Sequence, residues 1–334
     1  MMLIAVTMGD PAGIGPEIVL KASVMPAIIE SKIPFFVIGD VEVLKHLRDK
    51  FQVKVKIAPI AEPREAKHAS PGVLYVLDQE MIKDLSILVP GKVSSLAGKC
   101  AGSYIARAVN LNLSGDIQAL VTGPINKEAI HAAGIPFKGH TEMLADLSGA
   151  AQSMTMFQVD KLRIFFHTRH VSLKDALRLV SAKEITKSIQ MAHQCMQSIG
   201  QRKPVLALAA FNPHASDGGL FGDEEALILE PALKAARALG IDVKGPVPAD
   251  SVFHQGLEGI YDGIVSLYHD QGHIAAKTYD FYRTVSVTFG LPYIRTSVDH
   301  GTAFDIAWKG KANPLSMVEA ILACGKLAGK YKPF

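Results

Sequence analysis

Short apolar runs alternate along the chain with longer segments whose apolar residues recur at helical spacing, and nearly every run ends in small or polar residues. That rhythm predicts parallel strands joined by crossover helices, an α/β architecture. The expected strands are Leu3 to Thr7, Phe35 to Ile38, Gln118 to Thr122, Leu162 to Phe166, Val205 to Phe211, Gly263 to Leu267 and Thr284 to Thr288. Helical spacing runs through Ser172 to Ile199 and through Gly222 to Leu239, the second closing at Gly240 as a C-terminal glycine should. No repeat, low-complexity tract or Pro/Gly/Ser-rich linker interrupts the alternation. A domain boundary must therefore fall on a crossing strand or helix.

At about 150 residues per domain, 334 residues suggest two domains or one large α/β unit. Hydrophobic residues at 49% and charged residues at 20% exclude a disordered, collagenous or coiled-coil chain. Thirty-five Lys and Arg against 32 Asp and Glu leave a net charge of +3. So small an excess argues against nucleic acid or an anionic membrane as partner, while leaving room for one local anion pocket. Cys100, Cys195 and Cys324 are odd in number and far apart, which suits neither a disulfide framework nor a CxxC metal knuckle and points to a reducing compartment. The opening MMLIAVTMGDP has no basic flank and breaks at Gly9, so it reads as a strand rather than a secretory segment. No uncharged run approaches the roughly 18 residues of a membrane span, and a cytoplasmic protein is expected.

In an open parallel sheet, ligands bind outside the carboxyl ends of the strands. After the first strand comes MGDPAGIGPEI, where Gly13 and Gly15 permit close backbone approach and Pro16 suits a first helical turn. The loop lacks the third glycine of GxGxxG, so a nucleotide loop and a plain strand-to-helix turn both remain open. Three further strands each end near a histidine: His170 after LRIFFHTR, His214 after LALAAFNP and His269 after GIVSLY. One such histidine is usually structural, but three imidazoles at one sheet edge suit an open, catalytic metal site. His167 and His273 are alternatives, the former falling inside an apolar run. In GIPFKGHTEML, Thr141 is placed to cap a helix, and His140 beside it makes the same helix start suited to a phosphate or carboxylate. Lys277 and Arg295 add cations that an anionic substrate would use. The late loop Asp299 to Pro314 is polar and glycine-rich, and Asp305 there could accept from ribose hydroxyls, the device that selects NAD over NADP.

In order along the chain, GDPAGIGPE, VTGPINKEA, GHTE, FNPHA, GPVPADSVF, YHDQGH and GLPYIRTSVDHGTAFDIA resemble the 4-hydroxythreonine-4-phosphate dehydrogenase family. The resemblance includes relatives acting on phosphorylated four-carbon sugar acids and covers almost the whole chain. It implies a homodimer of subunits with two α/β/α domains and a cleft between them, related in fold to the isocitrate and isopropylmalate dehydrogenases, with an active site completed by the second subunit. The expected division is a terminal, cofactor-side domain of residues 1–125 plus 290–334 and a central, metal-side domain of residues 126–289. The family's divalent metal ligands fall on His170, His214 and His269, with zinc, magnesium, cobalt or manganese as the ion. Its substrate and phosphate contacts fall on His140, Thr141, Asp250, Lys277 and Arg295. A likeness to the isopropylmalate enzymes assigns the adenosine of NAD to Asp305 and Asn313, on the same side as Gly13, Gly15 and Gly301. One position departs: Ser286 stands where the vitamin-route enzymes usually carry an asparagine in the substrate pocket. His273 and AFDIAWKGKA also look more like the sugar-acid relatives.

The activity so implied is a metal-dependent, NAD-linked oxidation of a phosphorylated hydroxy acid followed by decarboxylation of the β-keto acid. The first expectation for the substrate is 4-phospho-hydroxy-L-threonine, giving 3-amino-2-oxopropyl phosphate in pyridoxal phosphate biosynthesis. The alternative is D-threonate or D-erythronate 4-phosphate. Asp250 and Lys277 are the candidates for removing the hydroxyl proton. A metal-dependent hydrolase of a phosphorylated metabolite is the rival from another class, and saturable NAD binding separates the two.

Overall fold

The computed structural model describes residues 2–68, 70–137 and 139–334, and the chain divides into two compact units: Met1–Ser153 with Gly290–Pro333, and Met154–Phe289 with Phe334. The first expected boundary, after residue 125, lies instead after Ser153. The reason is a close helix pair. Helix α4 (Ser95–Leu113) presents Gly98 to α5 (Lys127–Ala132), where an added Cβ would lie 1.9 Å from the Ala129 carbonyl oxygen. Gly102, one turn on, faces Ile135 and Met143, the latter on α6 (His140–Leu147). Residues 126–153 therefore belong with the terminal unit.

Unit 1 holds β1 (Ile4–Thr7), β2 (Phe35–Gly39), β3 (Lys56–Ile60), β4 (Val73–Asp78), β5 (Ala119–Thr122) and β12 (Ile294–Val298). They run in the order β3-β4-β2-β1-β5-β12, every pair parallel. Besides α4 to α6, its helices are α1 (Gly15–Ser23), α2 (Pro26–Ser31), α3 (Val41–Phe51) and α12 (Leu315–Ala328). Strand β12 escapes apolar patterning because Arg295, Thr296 and Ser297 fill it, yet all five of its residues are buried. At the end of β2, the buried Asp40 carboxylate accepts from Met81 N at 2.6 Å, Ile82 N at 2.8 Å and the Tyr104 hydroxyl. One acid thus ties three elements together, satisfying groups whose burial unpaired would cost several kcal/mol.

Unit 2 holds β6 (Met154–Val159), β7 (Leu162–Phe166), β8 (Leu206–Ala209), β9 (Val243–Val247), β10 (Gly263–Ser266) and β11 (Val285–Phe289), in the order β11-β6-β7-β10-β8-β9. Here the expectation of parallel strands alone is corrected. Strand β6 runs antiparallel to both β7 and β11, because the β6–β7 hairpin turns on Asp160 and Lys161, with Asp160 at φ 50°. The helices are α7 (Leu173–Leu179), α8 (Ala182–Ser198), α9 (Glu230–Ala238), α10 (Ala249–Glu258) and α11 (His269–Tyr279). The single helix expected over Ser172 to Ile199 is two: Val180 is extended, and Ser181 caps α8 by accepting from Glu184 N. The segment from Gly222 likewise begins with a π-helical turn, Glu225–Leu229, before α9.

Gly98 sets two effects against each other. Alanine at a helix interior gains about 1 kcal/mol over glycine, but a methyl driven into a backbone carbonyl costs about 1–3 kcal/mol and has nowhere to go. We therefore expect Gly98→Ala to lower the urea midpoint, while Gly102→Ala, which meets only the flexible tip of Ile135, stays within about 1 kcal/mol of the parent in the same measurement.

Candidate active site

The carboxyl ends of β1, β5 and β12 meet at one edge of unit 1. Loop 8–14 tucks under residues 123–124: Gly9, at φ 77°, would put a Cβ 2.4 Å from the Pro124 carbonyl, which also accepts from Asp10 N at 2.9 Å. The glycines proposed for a cofactor make close approaches of their own. A Cβ on Gly13 would lie 2.9 Å from the Thr302 Cβ, and one on Gly15 would lie 2.2 Å from the Met8 carbonyl oxygen. Both approaches are to protein, so packing alone accounts for these two residues.

The late loop lies over this turn. Ile14 N donates to the Thr302 carbonyl at 3.0 Å and the Trp308 indole to Pro11 O at 3.0 Å. Glu17, fully buried on α1, accepts from Lys21 Nζ at 2.7 Å and from the backbone of Gly310 and Ala312, while Lys21 Nζ donates to the carbonyls of the same two residues. Gly301 and Asp305 are exposed on that loop. Asn313 is half-buried, and its Oδ1 accepts from Leu315 N at the start of α12.

Arg295 sits within β12 and is only 4% exposed, its Nε donating to Thr122 Oγ1 at 3.0 Å. His140 opens α6 with its Nε2 buried. Burial first, and then the positive field of Arg295, hold its imidazole well below the usual histidine range, so the ring is neutral. Thr141 was expected to cap this helix. The cap position is Gly139 and makes no side-chain bond, so Thr141 lies inside the first turn, half-buried. Asp10, which sequence reasoning passed over, is fully buried in the GDP turn. Its Oδ1 accepts from Ala12 N at 2.8 Å, and its Oδ2, like Thr7 Oγ1 and His140 Nε2, finds no partner among the described residues. Desolvation pushes its carboxyl up to about 6. Such orphaned polar atoms at strand ends mark a surface prepared for a polar ligand.

The corresponding edge of unit 2 carries the histidines. His167 is structural: its ring bonds Ser188 Oγ at 2.8 Å and the Leu179 carbonyl at 3.1 Å, and burial lowers its pKa. His170 is exposed, its ring centroid 6.0 Å from that of His269, the first residue of α11. Through Nδ1, His269 bonds Asp270 at 2.6 Å. His273, one turn on, stacks against His269 at 3.6 Å and 12°, donates from Nδ1 to its carbonyl at 2.8 Å, and wedges against Phe157 and Phe166. Burial pushes that imidazole down to about 4. Lys277 lies two turns along α11 from His269, half-buried, with its ammonium 5.1 Å from the Phe281 ring. Ser286 is directly opposite Phe157 across the β11–β6 ladder, so it shares the face that His273 covers.

His214 stands in an unusual turn. Residues His214, Ala215, Ser216, Asp217 and Gly218 all adopt left-handed φ, from 46° to 69°. Glu225, 2% exposed, holds the entry to this run by accepting from Phe211 N at 2.8 Å, Asn212 N at 2.7 Å and Asn212 Nδ2 at 2.8 Å. Among the described residues no three His, Cys, Asp or Glu groups are placed to hold one metal ion. His170 and His269 are neighbours at 6.0 Å between ring centroids, and His214 forms no group of three with them among the described residues. Asp250 also stands apart: it is exposed near the start of α10 and lines a groove of about 570 Å³ with Tyr268, Asp270 and Ile274, which takes in neither Lys277 nor Ser286.

Comparison with known proteins fits this geometry. The family described as Pyridoxal phosphate biosynthetic protein PdxA matches residues 31–324. The chain belongs to that family. A relative from Symbiobacterium thermophilum, provisionally named D-threonate 4-phosphate dehydrogenase, is 47% identical over 330 residues, 99% of this chain and 98% of its own. Another of that name from Fusobacterium nucleatum is 46% identical over 99% of this chain and 97% of its own. Among solved structures, 4-hydroxythreonine-4-phosphate dehydrogenase from Klebsiella pneumoniae superposes with a TM-score of 0.89 at 43% identity, covering 98% of this chain and all of that one. Family membership makes the chain an oxidoreductase, and no described helix is long and apolar enough to cross a membrane.

Asp10 supplies a pH test. Its folded pKa, about 6, lies above the ordinary 3.8, so folding favours the protonated form and stability falls as pH rises from about 4 through 6. Asp10→Asn keeps the acceptor to Ala12 and removes that burden. The variant should be more stable than the parent by about 2–3 kcal/mol at pH 8, with the gap closing by pH 4, as read from urea unfolding at both pH values.

Proposed function

We propose that this protein oxidises a phosphorylated four-carbon hydroxy acid with NAD and a divalent metal ion, then releases carbon dioxide from the β-keto acid, and that its natural substrate is D-threonate or D-erythronate 4-phosphate. The observation that carries the reading is Arg295. A guanidinium buried in a parallel strand, bonded to a threonine hydroxyl and facing a neutral His140, forms a ready anion site at the strand ends. His140, Thr141 and Arg295 hold the phosphate, and binding energy spent there positions the distant reacting carbon. Ser286 in place of an asparagine and the names of the two curated relatives favour the sugar acid over the amino acid of the vitamin route.

His170 and His269 are the donors that would fit a shared ion; imidazole nitrogen suits zinc or cobalt, and manganese or magnesium less well. When bound, the metal supplies a Lewis acid for the hydroxyl and later for the enolate. His214 completes the set across a homodimer interface, and Asp250 enters the same way. Exposed Leu173, Leu177, Leu220, Leu227, Ile274 and Phe281, all in unit 2, give such an interface its apolar material. On this reading NAD lies along the exposed part of the late loop, at Gly301 and Asp305, and the half-buried Lys277 takes the hydroxyl proton. A cytoplasmic location accords with three cysteines that are all free and buried.

NADH absorbance with D-threonate 4-phosphate, D-erythronate 4-phosphate and 4-phospho-hydroxy-L-threonine, each with and without metal, tests the reading. Metal-dependent NADH from the two sugar acids ahead of the amino acid is expected; inorganic phosphate released without NADH would establish the hydrolase instead. In the same assay His170→Ala, His214→Ala and His269→Ala should each abolish turnover. Arg295→Ala should raise the KM for the phosphorylated acid by about ten- to a hundred-fold and leave that for NAD nearly unchanged.

A further inference from the structure

A second desolvated guanidinium lies at the strand ends of unit 2. Arg169, between Thr168 and His170 just beyond β7, is half-buried and donates from Nη1 to Thr155 Oγ1. Among the described residues no carboxylate pairs with it. A largely dehydrated cation bonded to a neutral hydroxyl is costly in an empty site and well placed once an oxyanion enters. Thr155 fixes where that cation is aimed. It is buried on β6 directly opposite Thr288 of β11, two residues along the strand from Ser286, so Thr155, Thr288 and Ser286 share one face of the sheet. This is also the face on which Phe157 carries His273, itself stacked on His269. The Arg169 fork therefore ends at Thr155, on the sheet face that carries Phe157 and Ser286.

The substrate reading proposed above leaves one anionic group without a holder. His140, Thr141 and Arg295 account for the phosphate, but nothing so far receives the carboxylate. We propose that Arg169 is a specificity-determining residue that receives the substrate's carboxylate, with Thr155 holding its guanidinium in the receiving orientation. The inference rests on that substrate reading and adds to it: a fixed cation beside the carboxylate tolerates a neutral α-hydroxyl and repels an α-ammonium, which separates a sugar acid from an amino acid by charge.

The test is calorimetric binding to the metal-loaded, full-length protein of two ligands that differ at one end, D-erythronate 4-phosphate and erythritol 4-phosphate, which lacks the carboxylate. Arg169→Ala should weaken the acid by about ten- to a hundred-fold, the usual weight of a charge-assisted bond, and shift the alcohol by less than about three-fold. Arg169→Lys keeps the charge without the fork and should fall between, for the acid alone; it also serves if the alanine variant fails to fold. Equal weakening of both ligands, or of neither, overturns the role for Arg169 while leaving the substrate reading intact. If the unaltered protein binds neither ligand, the substrate reading falls and this inference falls with it.

Discussion

The arrangement of unit 1 follows from one constraint, a guanidinium held inside a sheet. Arg295 is almost wholly withdrawn from water on β12, where a charge would ordinarily be excluded, and its strand carries Thr296 and Ser297 beside it. A buried charge survives only where hydrogen bonds meet it. Thr122, at the end of the neighbouring β5, supplies an oxygen for the fork. His140 at the start of α6 remains neutral under the same field, so the imidazole adds no second positive charge. A mixed lining of one cation and uncharged hydroxyl and imidazole groups favours an oxyanion from solution over an internal carboxylate, which would cancel the charge permanently.

A second constraint shapes the loop above. Glu17 and Lys21, one turn apart on α1, bond each other and then the Gly310 and Ala312 peptides, the acid taking both N–H groups and the base both carbonyls. The pair replaces the water of a whole loop segment, which is why a carboxylate can stand at zero exposure. With 310–312 pinned to α1 and Thr302 packed on Gly13, the intervening residues have fixed ends, and Asp305 among them, like Gly301 just before them, is exposed. Gly13 and Gly15 then read differently from their sequence signature: their missing side chains let the loop close on Thr302 and Met8.

What could be read in the sequence and what could not divides along physical lines. Apolar strands such as β1, β2 and β10 are visible because both faces of a parallel strand are buried. β12 is not, since its burial depends on hydrogen bonds between distant residues rather than on its own hydrophobicity. The hairpin that reverses β6 is hidden for another reason: Asp160 and Lys161 form a two-residue turn without glycine, so nothing marks it. Strand-end histidines are conspicuous by type and spacing, whereas Asp10 and Glu225 are ordinary residues until burial shows that water does not solvate them, and Arg169 until its bond to Thr155 is seen. A buried acid at a GDP turn and an arginine immediately before a strand-end histidine were the available signals.

The turn at His214 is kept against a clear backbone cost. Each non-glycine residue in the left-handed region costs roughly 1–2 kcal/mol, and the run from His214 to Asp217 includes four of them. A fold retains such a turn where other bonds over-determine it. Glu225 does this, setting three hydrogen bonds on Phe211 and Asn212 from a π-helical turn, itself a form that recurs at functional sites. Yet the turn leaves the imidazole exposed, and among the described residues it joins no group of three that could hold a metal ion. Under the proposal that a second subunit shares the ion, metal binding and dimerisation would stabilise each other by mass action.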